Sequence, residues 1–88
     1  MTYMVHMDMT ARTPQQLGAA LRRVRRQQGL TQAQLGKRMR ARQATVSQLE
    51  SGHPGTSLRT LMDAIAALNI EVVVQHRSTH RPDIEDLF

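Results

Sequence analysis

From Gly29 to Gly52 the chain has room for two helices of about two turns each with a tight corner between them. That brevity limits the fold more than any other feature. Thr31 opens the first helix as an N-cap, and Gln34, three residues on, completes a T-x-x-Q capping box. Leu35 and Met39 fall on its inner side, and Met39 to Arg42 form the corner. The second helix runs from about Gln43 to Glu50, turns Val46 and Leu49 inward, and stops at Gly52. Helices this short need neighbours to bury them.

The neighbours are legible on either side. Upstream, Thr13 is a cap, Pro14 suits the first helical position, and Gln16 stands where a capping box requires it. Leu17, Leu21 and Val24 form an apolar stripe, and Gly29 ends that helix. Downstream, after the loop His53-Pro54-Gly55, Thr56 or Ser57 caps a fourth helix. Its Leu58, Leu61, Met62, Ile65 and Leu68 repeat with helical period, and Asn69 ends it. With only Tyr3 and Phe88 as aromatics, the core must be built from aliphatic residues and methionine. A chain of 88 residues has room for one such core. The expected fold is therefore all-α, a compact bundle of four main helices.

Charge separates the chain into unlike parts. Arg12 to Arg42 carries nine basic residues and no acid, while all but one of the acids follow it. A basic front implies a polyanionic partner, and the acidic tail implies something else. Two short helices with small polar side chains on a positive scaffold suit the major groove of DNA, so the segment reads as a helix-turn-helix.

Residues 70–76 differ in kind. Ile70, Val72, Val73 and Val74 make a β-branched run about one strand long, and no second strand signal exists to pair with it. The economical partner is the same strand of another copy, across a two-fold axis. The chain thus divides into an N-terminal extension (1–12), a helix-turn-helix domain (13–69), a dimerisation strand (70–76) and a tail (77–88). In the tail Ile84, Leu87 and Phe88 stand among three acids, a pattern suited to docking in an apolar pocket or to a turnover signal. A solubilising end is the plainer alternative.

The pattern Gly29-Leu30-Thr31-Gln32, Leu35, Gln43-Ala44-Thr45-Val46-Ser47 and Leu49-Glu50-Ser51-Gly52 resembles the XRE/Cro/phage-repressor class, over about Leu17 to Leu68. The strand following the fourth helix, the terminal aromatic and the length make the chain most similar to HipB antitoxins. The resemblance implies a dimeric repressor of its own operon, bound to a palindromic operator and to a HipA-like serine/threonine kinase toxin. A stand-alone repressor without a toxin, and a protein-interaction module with vestigial DNA binding, remain the alternatives. Two positions depart from the class: Arg40 replaces the usual glycine after the second helix, and Arg42 replaces the usual cap before the third.

Candidate base-reading residues are Gln43, Ala44, Thr45, Ser47 and Gln48, in the first turns of the third helix. Gln43 is foremost, since a glutamine amide both donates to and accepts from adenine, whereas Ala44 and Thr45 suit a thymine methyl. Gln32, by resemblance, bonds phosphate and buttresses the residue opening the third helix. Lys37, Arg38, Arg40 and Arg42 are candidate phosphate contacts, which add affinity and salt dependence without sequence information. The plainer reading of all these is a polar, solvated surface. By resemblance, too, Arg25 pairs with Glu50 as a structural bridge from the first helix to the third.

No catalytic constellation stands out, so an enzyme is not expected. His76 and His80 are four apart, but Pro82 and the preceding strand argue against a helix there. With no cysteine and no cluster of acids with the histidines, neither a metal site nor a cofactor is expected. No signal-like or transmembrane run is present, and a cytoplasmic location is the expectation.

Overall fold

A computed structural model describes residues 8–77. It contains α1 (Pro14–Gln27), α2 (Gln32–Met39), α3 (Gln43–Ser51) and α4 (Leu58–Ala67). The all-α architecture expected from the sequence is the one found. Ile84, Leu87 and Phe88 lie outside the described residues, as do His6 and His80.

Three of these four helices start at a side-chain cap. Thr13 Oγ1 accepts from the Gln16 N–H at 3.0 Å, although the Gln16 side chain takes the Arg12 N–H (2.7 Å) rather than closing a box on Thr13. Thr31 and Gln34 do form a reciprocal capping box. Of the two candidate caps for α4, Ser57 is the one used, accepting from the Thr60 N–H at 3.0 Å. Arg42 precedes α3 in extended conformation with no side-chain cap, so the first N–H groups of α3 are left open.

Leu21, Leu35, Met39, Val46, Leu49, Ala64, Ile65 and Leu68 are buried together. α3 packs against both α1 and α2, and α4 lies on α2. A side-chain bond from Gln28 Nε2 to the Leu68 carbonyl oxygen (2.8 Å) ties the end of α1 to the end of α4. Two glycines set how closely the helices approach. A Cβ on Gly18 would stand 2.6 Å from the Leu49 carbonyl oxygen and closer still to that of Glu50. One on Gly52 would stand 2.7 Å from Gln15 Cα, and Gly52 also needs its positive φ of 78° to end α3.

One expectation needs correction. The apolar stripe of α4 is wider than the core that receives it. Leu58 is 72% exposed and Met62 51%, while Ala64 takes an interior place that the sequence reading did not give it. α4 leans on the bundle along one edge, and among the described residues nothing covers its outer apolar side chains. Alone, residues 70–77 form no strand, and Val72, Val73 and Val74 are exposed. A ladder needs a second strand, and among the described residues there is none.

Arg40 occupies the left-handed region (φ 59°, ψ 41°), where its N–H and that of Ala41 close the end of α2. Any residue with a Cβ is strained there. Arg40→Gly is therefore expected to raise the unfolding free energy by about 1 kcal/mol, measured by denaturant titration. An unchanged or lowered midpoint would show that the arginine side chain stabilises the corner by as much as the backbone costs.

Candidate nucleic-acid interface

Of the candidate base readers, Gln43, Ala44, Ser47 and Gln48 are exposed on the first two turns of α3. Thr45 is only half-exposed, because it neighbours the fully buried Val46 on the inward side. The exposed Lys37 and Arg38 end α2, Arg40 sits in the corner, and Arg42 leads into α3. The corner thus places basic side chains around the open N-terminus of α3, and the helix dipole adds to their positive field. Gln32 is half-buried at the first turn of α2. Arg22, Arg23 and Arg26 are exposed on α1.

Behind this surface lies a buried polar cluster. Arg25 Nε donates to Glu50 Oε2 at 2.6 Å and Arg25 Nη2 donates to Glu50 Oε1 at 3.0 Å, with the two side chains 7% and 3% exposed. Arg25 Nη1 also donates to the Leu30 carbonyl oxygen at 2.7 Å, holding the turn between α1 and α2. Gln32 Nε2 donates to Glu50 Oε1 at 3.1 Å, and Gln43 Nε2 donates to Gln32 Oε1 at 3.4 Å. One continuous network therefore runs from α1 through α3 and α2 to the opening residue of α3.

Burial alone would push the Glu50 carboxyl up. The hydrogen bonds from Arg25 and Gln32 and the charges of Arg25 and Arg22 outweigh it and hold the group below its ordinary value. The hydrogen bonds that Arg25 donates to Glu50 in turn raise Arg25, against the opposing effect of burial. Both groups are ionised at neutral pH, and every buried side-chain polar atom among the described residues has a partner.

The sequence reading missed the Gln32–Glu50 bond and the close approach at Gly18. A mid-helix glycine costs about 1 kcal/mol against alanine, so Gly18 beside the stripe of Leu17 and Leu21 was itself a sign of tight packing. His53 is occupied in its own loop, where Nδ1 accepts the Gly55 N–H at 2.8 Å. Among the described residues no group of three or more histidines and acids gathers that could hold a metal ion. Nor is any helix there long and apolar enough to cross a membrane.

Comparison with known proteins places this geometry. The helix-turn-helix family HTH_3 matches residues 21–74. The relative named Antitoxin HipB from Escherichia coli O6:H1 (strain CFT073) is 32% identical over 71 residues, covering 81% of this chain and 76% of the relative. Its counterpart from Escherichia coli K12 is 31% identical over 71 residues, with 81% of each covered. A solved complex of a HipB variant with the O2 20mer superposes with a TM-score of 0.75 at 32% identity, covering 82% of this chain and 100% of the other. HipB in a HipA-HipB-O2-O3 complex superposes at 0.73 and 30% identity, over 78% and 97%.

Proposed function

This chain belongs to the HTH_3 helix-turn-helix family and, within it, to the HipB-type antitoxins, and from that membership we propose that it is a dimeric operator-binding repressor. In the same role it neutralises a HipA-like serine/threonine kinase toxin by direct contact, acting by binding rather than catalysis, in the cytoplasm. One observation carries the DNA-binding part. The exposed, arginine-rimmed N-terminal turns of α3 sit in a fold that superposes on HipB solved in complex with the O2 20mer. In this reading Gln43, Ala44, Thr45, Ser47 and Gln48 face base edges. Gln32, Lys37, Arg38, Arg40 and Arg42 face phosphates, fixing register without reading sequence.

A second copy covers what the described residues leave bare. Leu58 and Met62 on α4, with Val72, Val73 and Val74 beyond it, are large apolar side chains in water. Strand pairing of residues 70–76 across a two-fold axis gives the backbone of that segment its missing partners. It also sets two copies of α3 on a palindromic operator, about one DNA turn (~34 Å) apart. Bound over a promoter, the dimer blocks polymerase.

Fluorescence anisotropy across a salt series, on the gene's own upstream DNA and on scrambled DNA, tests this reading. Gln43→Ala is expected to weaken specific binding by about 1–3 kcal/mol and leave scrambled DNA unaffected. Arg42→Ala is expected to weaken both and flatten the salt slope by about one contact. Equal affinity for the two duplexes, unmoved by Gln43→Ala, would refute operator recognition.

A further inference from the structure

The buried network does more than join helices. We infer that Glu50, which touches no DNA, sets the hydrogen-bond polarity of Gln43 and hence the purine it selects, acting through the side-chain amide of Gln32. The inference rests on the reading of α3 as the base-reading helix.

The argument starts from the chemistry of a carboxylate, which accepts hydrogen bonds and has none to donate. Glu50 is buried against Arg25 and ionised at neutral pH. Gln32 can meet it only with its NH2 group, as found at 3.1 Å. The Gln32 carbonyl oxygen is thereby turned away from Glu50, towards the start of α3. That oxygen can only accept, so Gln43 must approach it with an N–H, as found at 3.4 Å. One amide proton of Gln43 is then committed. What remains for a ligand is its other N–H beside its carbonyl oxygen, a donor next to an acceptor.

Adenine presents the complement in the major groove, with N7 as acceptor and the N6 amino group as donor. Reversing the Gln32 amide would reverse the outcome. Gln43 would then offer its oxygen to the Gln32 NH2 and turn its own NH2 outward, towards the paired acceptors N7 and O6 of guanine. The buried carboxylate excludes that arrangement. Glu50 and Gln32 are thus positioning residues for specificity, and Arg25 contributes by keeping Glu50 ionised and in place.

The test uses the full-length protein and the best-binding duplex selected from a randomised pool, with each base pair then substituted in turn. At the pair read by Gln43 the parent protein is expected to prefer adenine over guanine by about 5–150-fold. Glu50→Gln supplies a side chain that both donates and accepts, so Gln32 can reverse. The adenine preference is expected to fall towards unity as guanine gains. Gln32→Ala removes the relay with the same loss of preference, while the Arg25–Glu50 pair stays whole. In Glu50→Gln, affinity for non-specific DNA and its salt slope should not move, whereas Gln32→Ala also loses the Gln32 phosphate contact and weakens all duplexes alike, with the salt slope kept because Gln32 carries no charge.

If Glu50→Gln impairs folding, visible as lost helical circular dichroism, Gln32→Ala alone decides. Gln43→Ala separates the two layers of the argument. Adenine preference lost in Gln43→Ala but kept in Gln32→Ala overturns the inference and leaves base reading by Gln43 standing. Preference kept in Gln43→Ala overturns base reading by Gln43, and the inference with it.

Discussion

Glu50→Ala is expected to lower the unfolding free energy by about 3–5 kcal/mol, the largest loss from any single side chain at this site. The substitution leaves the Arg25 guanidinium in an interior where it is 6% exposed, with its two bonds to the carboxylate gone and only the Leu30 carbonyl oxygen remaining. It also takes away the acceptor that Gln32 faces. The size of the loss reflects an unpaired buried charge rather than the net strength of the pair. Replacing both partners, as Arg25→Met with Glu50→Leu, should therefore recover most of it. A double variant as unstable as Glu50→Ala would show that the pair itself carries the stability.

The same pair gives the protein an acid-sensitive component. The folded-state carboxyl of Glu50 lies below its ordinary value of 4.5. Its contribution is therefore complete above the ordinary carboxylate range and is lost as pH falls below that range and through the folded-state value. Denaturation midpoints of the parent should drop in that acidic window, and Glu50→Gln should lose less over the same interval. Parallel curves for the two proteins would exclude Glu50 as the source.

Gly18→Val is the second large effect, expected to cost about 3 kcal/mol, towards the top of the range for overpacking. Ordinarily a side chain added in mid-helix gains helix propensity over glycine. Here the added Cβ meets backbone, the carbonyl oxygens of Leu49 and Glu50, which cannot rotate away as a side chain could. α1 must move off α3, and that movement pulls Arg25 from Glu50. Operator binding should weaken with stability, because α3 loses its support. Gly29→Ala is the contrasting case. Its φ is 73° but none of the described residues lies within 4 Å of the added atom, so only the backbone cost of about 1 kcal/mol applies. Denaturant midpoints of the two variants check the contrast, and equal losses would mean that the α1–α3 approach is not tight.

Local chemistry made most of the helix ends legible. Thr13, Thr31 and Ser57 each place an oxygen where an N-terminal N–H needs one, and Gly52 and Asn69 supply the left-handed residues that close α3 and α4. Such signals act within four residues and need no tertiary partner. The stripe of α4 was less reliable. Periodicity identifies a helix and its apolar side, but the width of the core decides how much of that side is covered, and Leu58 and Met62 lie outside it. The residues rimming α3 were legible as a basic, polar surface, yet no sequence pattern shows that Thr45 is half inside while Ser47 is exposed.

The sequence by itself determined four short aliphatic helices, their caps and a basic helix-turn-helix, because capping and periodicity are properties of neighbouring residues. Only the tertiary structure decided which side chains meet across helices. Arg25, Gln32, Gln43 and Glu50 are separated by as much as 25 positions between Arg25 and Glu50, and they join only where α1, α2 and α3 converge. Gly18 became critical for the same reason, since distances between helices of 2–3 Å precision arise from packing. Whether an exposed amide presents a fixed donor and acceptor depends on what is buried behind it, and burial is a property of the folded chain.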